Sequence, residues 1–182
     1  MTRGEALKLV DNFIKNENLK KHLLAVEACM RKLAKYFNED EEKWGLCGLL
    51  HDLDYEETNK TPETHGSRTV EILKERNFYD KEIFNGILAH CEKKVPENKL
   101  EKTIYAVDPL TGLIVAACLM HPTKKLKNVD VNFVLRRFKE KKFAAGANRE
   151  QIKKCEEIGL DLEKFIEICL SAMQEISEAL GL

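Results

Sequence analysis

The stretch GLLHDLDYEE, from Gly48 to Glu57, places a histidine and an aspartate side by side at the end of an apolar run. The apolar residues that precede the pair recur at the spacing of a buried helix face. A helix buried in this way would be expected to continue with aliphatic side chains. His51 and Asp52 therefore need a partner that offsets the free-energy cost of burying them.

Outward from this stretch, apolar residues recur at helical spacing along almost the whole chain, and no segment alternates long enough to predict a strand. The pattern predicts an all-α fold. The expected helices are 3–16, 18–37, 40–52, 65–77, 80–92, 100–120, 130–142, 147–158 and 161–180.

Helix ends are marked by residues suited to capping. Asn18, Asp40, Asp80 and Asp130 stand where a side-chain acceptor would satisfy free backbone donors. Glycines at 159 and 181 stand where helices often stop. The polar segments 53–64, 93–99 and 121–129 are predicted to be loops, and such loops can line a pocket.

Length and composition predict a single domain, 1–182, in an intracellular protein. The chain has 182 residues, 43% of them hydrophobic, which is enough for a sizeable core. Its N-terminus lacks an apolar signal segment, and the longest apolar run, 113–120, is too short to span a bilayer. Six cysteines without a CxxC pair fit a reducing compartment. We therefore expect a cytoplasmic protein that does not enter a membrane.

Charge gives little indication of a large partner. Lys and Arg number 30 against 31 Asp and Glu, so nucleic acid is an unlikely ligand. The segment 124–142 nevertheless holds eight basic residues against Asp130 and Glu140. It is either a solvated helix face or a local funnel for an anionic substrate. The oligomeric state is not indicated.

Several polar residues fall on faces that should be buried. His22 heads an apolar stripe that continues through Val26, and His90 follows Ile83 and Ile87 on one face. Asp108 follows Ile104 on the face that continues to Val115. Lys and Arg lie mainly on the opposite faces, so a salt-bridge network lacks basic partners. A divalent cation held by imidazoles and carboxylates is the economical explanation.

Each of these residues also has a simpler interpretation. A single inward histidine is more often a satisfied core residue than a ligand. Asp108, followed by Pro109, equally suits a helix N-cap. His65 could lie on the surface, and either His90 or Cys91 could face the core. His121 is expected only to serve a helix C-terminus and is left out of the site.

The order of these residues resembles the HD-domain superfamily of metal-dependent phosphohydrolases. His22 lies on one amphipathic helix, the His51-Asp52 pair ends the next, and the segment IYAVDPLTGL carries Asp108. The resemblance covers roughly 15–120, as an HD-type helical bundle, and leaves 121–182 as a C-terminal helical extension. Two further histidines, His65 in THGSRTVEIL and His90 in GILAHCEK, correspond to ligands of dinuclear members.

The resemblance implies a metal-dependent phosphohydrolase. One metal would be held by His22, His51, Asp52 and Asp108, while Asp52, the candidate catalytic residue, would bridge to a second metal held by His65 and His90. Iron or manganese is favoured, and zinc, nickel or cobalt is possible. The order is similar to the bacterial branch that hydrolyses diadenosine tetraphosphate, and closer to a branch of predicted HD hydrolases. The implied partner is a small phosphorylated substrate, such as a nucleotide.

Some family features are absent. Tyr55 stands three residues after Asp52, where the mononuclear nucleotidases carry a catalytic acid, and neither Asp54 nor Glu56 takes that role by position. The Gly-Tyr-Pro signature of cyclic dinucleotide phosphodiesterases is missing. Two alternatives therefore remain: a metal- or nucleotide-binding sensor without turnover, and a structural helical protein whose histidines are core residues.

Overall fold

A computed structural model describes residues 1–59 and 61–182, and in these residues the chain is helical without a strand. The predicted all-α class is confirmed. The α-helices are α1 Arg3–Phe13, α2 Glu17–Phe37, α3 Glu41–Leu50, α4 Tyr55–Thr58, α5 Ser67–Glu75, α6 Lys81–His90, α7 Lys99–Met120, α8 Val131–Lys139, α9 Arg149–Lys153, α10 Leu162–Glu175 and α11 Ser177–Leu180.

Four expected helices and two expected loops need correction. The helix predicted at 40–52 ends at Leu50, and that predicted at 65–77 begins only at Ser67. The helix predicted at 147–158 changes to a 3-10 helix at 154, and that predicted at 161–180 breaks at Ile176. The predicted loop 53–64 contains α4 and a short 3-10 helix, and the loop 121–129 contains another.

Most predicted caps are observed. The side chains of Asp40, Asp80 and Asp130 accept hydrogen bonds from the first-turn backbone of α3, α6 and α8. Asn16, and not Asn18, caps α2, because its side chain accepts from the amides of residues 18 and 19. Glycines 159 and 181 end helical segments in the left-handed conformation, which costs glycine little.

The core of the bundle is formed by α2, α3, α6 and α7, which pack on one another. Gly48 allows α3 to lie unusually close to α2. A Cβ atom at this position would lie 3.0 Å from the backbone of Glu27 and Val26. The absence of a side chain at Gly48 thus brings the end of α3, and with it His51, next to α2.

Helix α7 crosses the centre of the bundle and is long and apolar enough to span a membrane by length and composition alone. Much of its surface is buried against other helices here, which explains its apolar character. It begins after Asn98, whose side chain caps it, and continues through Pro109. Asp108 is therefore a mid-helix residue, and the N-cap interpretation is wrong.

The helices after residue 120 are packed on this core. Helices α8 and α10 contact α7, and α10 also lies along α2. Residues of α9 and of the 3-10 helix that follows it contact α7 as well. The segment predicted to be an extension thus covers two of the helices that carry candidate site residues.

Candidate metal centre

Six side chains singled out in the sequence come from five parts of the fold. His22 lies on α2, His51 and Asp52 directly follow α3, and His65 precedes α5. The remaining two are His90, the last residue of α6, and Asp108, in the middle of α7. The structure brings all six together at one end of the bundle.

Adjacent residues of a regular helix point about 100° apart and would not face one point. The α-helical hydrogen bonding of α3 stops at Leu50, and a turn follows in which the Leu53 amide donates to the Leu50 carbonyl. The Tyr55 amide then donates to the Asp52 carbonyl. The early end of α3 allows the His51 and Asp52 side chains to meet at the same site.

Asp52 lies between two groups of histidines. Its Oδ2 is 3.8 Å from His22 Nε2 and 3.6 Å from His51 Nε2. Its Oδ1 is 3.3 Å from His65 Nε2 and 3.1 Å from His90 Nε2. Each carboxylate oxygen therefore faces a different pair of imidazoles.

The two groups differ in composition. In the first, Asp108 Oδ1 lies 3.0 Å from His22 Nε2 and 3.7 Å from His51 Nε2. In the second, the Nε2 atoms of His65 and His90 are 3.2 Å apart. Donor atoms that share one ion at roughly 2.0–2.2 Å lie on the order of 3 Å from each other, so this spacing suits metal ligands.

The other ring nitrogen of each histidine is held from outside the site. His22 Nδ1 lies 3.2 Å from the Thr111 hydroxyl, and His51 Nδ1 lies 2.8 Å from the Gly48 carbonyl oxygen. His90 Nδ1 contacts the Ile87 carbonyl. A carbonyl can only accept, so in the neutral rings of His51 and His90 Nδ1 donates and Nε2 presents a lone pair to the site.

Asp54 holds the fourth histidine, a role that was not predicted from the sequence. Its Oδ1 lies 2.8 Å from His65 Nδ1, while its Oδ2 accepts from the amides of Gly66 at 2.7 Å and Thr69 at 3.0 Å. Gly66 has φ +76°, a conformation that favours glycine. The sequence feature that could have indicated this role is a second aspartate two residues after the HD pair, just before polar residues.

The buried carboxylates and imidazoles of the cluster shift one another's pKa values. Burial lowers the pKa of His51, but Asp52 and Asp108 outweigh it and raise that pKa to about 9. Burial also lowers the pKa of His65, but the carboxylates of Asp52 and Asp54 outweigh this effect and raise that pKa to about 10. Against the effect of burial, the histidines hold the pKa values of Asp52 and Asp108 below their usual range.

A divalent metal fits these residues. His51 Nε2 is a buried polar atom with no hydrogen-bond partner among the described residues. Three groups of potential ligands overlap here, including His22 with His51 and Asp108, and His51 with Asp52 and His90. A cation would satisfy His51 Nε2 and take the place of the protons that His51 and His65 otherwise retain beside the carboxylates.

The cluster lies in an open cleft of about 660 Å³. The described residues that line it include Asp52, Asp108 and Glu92 but neither Lys nor Arg. Gln151, from α9, lies in the same lining and approaches Glu92 at 3.4 Å. The C-terminal helices thus contribute to the cleft.

Two basic residues that follow the site histidines in the sequence, Arg68 after His65 and Lys94 after His90, do not line this cleft. Arg68 pairs with three carboxylates, those of Glu57, Glu71 and Glu75. Lys94 pairs with Glu97 and Glu101. The basic segment 124–142 is likewise outside the described lining. His121 caps α7 and lies 2.9 Å from the Thr123 hydroxyl.

A family model described as HD domain matches residues 19–113, more than half of the chain. The protein therefore belongs to the HD domain family, the superfamily of metal-dependent phosphohydrolases, whose members bind divalent metals. All six candidate ligands lie within the matched segment. Searches of curated proteins and of solved structures found no match.

Proposed function

We propose that this protein is a phosphohydrolase that uses metal-activated water to cleave a nucleotide or a related phosphate ester. The observation that carries the proposal is the position of Asp52, whose two oxygens face two separate pairs of imidazoles. A single-metal site or a buried ion pair would not require this division.

The chain supplies ligands for two metals. His22, His51 and Asp108 with one oxygen of Asp52 would hold the first, and His65 and His90 with the other oxygen would hold the second. When bound, two such metals activate a water molecule and neutralise charge on the attacked phosphoryl group. Nitrogen and oxygen donors in this ratio favour iron or manganese and also accommodate zinc, nickel or cobalt.

The protein residues have separate tasks around this centre. Asp52 remains ionised because imidazoles flank both of its oxygens. Asp54 fixes the ring of His65, and the carbonyls of residues 48 and 87 fix the rings of His51 and His90. The described residues that line the cleft include carboxylates but neither Lys nor Arg, and bound cations would supply positive charge to attract an anionic substrate.

A nucleotide is supported by the ligand order, which is similar to that of the branch that hydrolyses diadenosine tetraphosphate and to a branch of predicted HD hydrolases. The cleft is also within the volume range of sites for small organic ligands, about 300–1,000 Å³.

A second candidate is a metal- or nucleotide-binding sensor without turnover. Tyr55 lines the cleft with about half of its surface exposed, and its ring lies 5.7 Å from that of His65. It occupies the place where some family members carry an acid. Among the described lining residues, Glu92 is the one carboxylate outside the proposed ligand set.

Metal content and turnover separate these possibilities. Protein purified without a chelator or an affinity metal should contain about two metal equivalents per chain, falling toward one in His65→Ala. The loaded wild type should hydrolyse members of a panel of nucleoside phosphates. Two metals without turnover would favour the sensor. No metal in the purified protein, and no uptake of iron, manganese or zinc, would overturn the proposed function.

A further inference from the structure

A second cavity of about 480 Å³ adjoins the metal centre between α2 and α7. We call it the α2–α7 groove. Its apolar wall is made by Ala25, Val115, Leu119, Leu180 and Leu182, with Gly112 beside them.

The groove is continuous with the metal cleft. Asn18 and His22 line both cavities, and Thr111, which lines the groove, contacts the His22 ring. From Asp108 to Leu119 along α7 the distance is roughly 16 Å at 1.5 Å per residue. A molecule held by its phosphate at the metal centre can therefore extend along the groove.

The groove also carries a cation, whereas the described residues that line the metal cleft include neither Lys nor Arg. Lys21 lines the groove, and no carboxylate pairs with this lysine in the described part of the chain. The neighbouring Lys20 is by contrast paired with Asp11 at 3.0 Å and Glu17 at 3.4 Å. A Cβ atom at Gly181 would lie 3.0 Å from Lys21 Nζ, which places the ammonium group beside the wall of the groove.

We infer that the α2–α7 groove binds the nucleoside part of a nucleoside polyphosphate whose reacting phosphate lies at the metal centre. This inference rests on the proposed function and specifies its substrate. Lys21 would meet a phosphate that does not react, Asn18 offers an amide near the sugar, and the aliphatic wall would contact the base. Asn18 and His22 line both cavities, and Val115 and Leu119 lie about one and two helical turns beyond Thr111, which contacts His22. The apolar wall thus extends away from the metal centre, as the base does from the phosphates.

Gly112 allows a direct test. It lines the groove, is exposed on α7, and has open space for a Cβ atom, which would meet nothing within 4 Å, so Gly112→Leu adds bulk at the groove from an unobstructed position. Gly4 on α1 is also exposed with open space around it, and it lines none of the described cavities. Gly4→Leu is thus a matched control, and both changes replace glycine with a better helix former.

The experiment compares binding of ATP and of inorganic tripolyphosphate, which lacks the nucleoside, to metal-loaded protein by calorimetry. Gly112→Leu should weaken ATP binding at least about tenfold, which corresponds to about 1.4 kcal/mol, and leave tripolyphosphate binding unchanged. Lys21→Gln should weaken both about tenfold, the loss expected for one charge-assisted hydrogen bond. Gly4→Leu should change neither.

Equal ATP affinity in wild type and Gly112→Leu would overturn the inference, as would equal affinity of the wild type for ATP and tripolyphosphate. Hydrolysis of tripolyphosphate with no preference for ATP would reject the groove and retain the phosphohydrolase. The predicted binding pattern without any hydrolysis would support the groove and reject turnover. Thermal unfolding of each variant shows whether the bundle is intact.

Discussion

Two buried carboxylates in this protein, those of Glu27 and Asp52, have opposite kinds of partner. Glu27 on α2 is 2% exposed and accepts from Arg3 at 2.6 and 2.9 Å and from Arg31 at 2.9 Å. Asp52 is 7% exposed and is surrounded by imidazoles at 3.1–3.8 Å. One charge is fully paired by permanent cations, whereas the other faces groups that gain or lose a proton.

This difference separates a structural pair from a candidate site. The arginines remain charged and tie α1 to α2, so the Glu27 cluster requires nothing more. The Asp52 cluster leaves His51 Nε2 without a partner and opens into a cleft. Changes at Glu27 should therefore alter stability, and changes around Asp52 should alter metal binding.

The largest effect is expected from Asp52→Ala, which removes the oxygens shared by both groups of histidines. Metal binding should be lost and hydrolysis should fall by more than about 100-fold. The helices should persist, because they are held by the apolar core, and circular dichroism would show this. Activity equal to wild type in Asp52→Ala would contradict the mechanism.

Asp54→Asn should weaken binding of one metal about 10- to 100-fold, because the His65 ring loses its charged partner. Titration of the metal-free protein measures this affinity. Glu56→Gln is the matched control: Glu56 follows in the same segment but accepts from the amides of residues 15 and 16. A similar loss in the control would show that the whole segment, and not the contact with His65, maintains the site.

Glu27→Gln should lower the free energy of unfolding by about 2 kcal/mol, since two guanidinium groups lose a buried carboxylate. Urea unfolding measures the change. Glu42→Gln is the comparison, because Glu42 pairs with Arg31 from an exposed position and should contribute about 0–1 kcal/mol. Metal content should be unchanged in both variants; metal loss in Glu27→Gln would show that the two clusters are coupled.

Metal affinity should rise with pH. The pKa values of about 9 for His51 and about 10 for His65 mean that a metal displaces protons below this range. The expected slope is about tenfold per pH unit for each proton displaced, and it should flatten above pH 9–10. In the metal-free protein the sign is reversed: these raised pKa values stabilise the fold below about pH 6.5, and the contribution is lost as pH rises through 9–10.

Calorimetry in buffers with different ionisation enthalpies counts the protons released when metal binds. A proton release near zero at pH 7 would contradict the assignment of His51 and His65 as ligands.

The smallest effect is expected for His121→Ala. His121 lies at the end of α7 and contacts Thr123 instead of the cluster. Metal content should be unchanged and hydrolysis should stay within about twofold of wild type, as for a surface substitution away from the site. A large loss would show that the site extends to the end of α7.

Much of this organisation was predictable because it depends on local patterns. Helical periodicity gave the all-α class, and acceptor residues at 40, 80 and 130 marked helix starts correctly. The inward positions of His22, His90 and Asp108 followed from their spacing to aliphatic neighbours. Helix ends were predicted less well, because the end of α3 at Leu50 and the break at Ile176 depend on packing and not on a strong local signal.

The sequence by itself determined the chemistry of the candidate ligands and the buried faces on which most of them lie, because residue type and helical period are local properties. The tertiary structure decided which oxygen of Asp52 faces which histidine, that Asp54 supports His65, and that a groove with Lys21 joins the cleft. These relations connect residues far apart in the chain, so they depend on how closely the helices pack. Gly48, where α3 meets the backbone of α2, is the clearest instance.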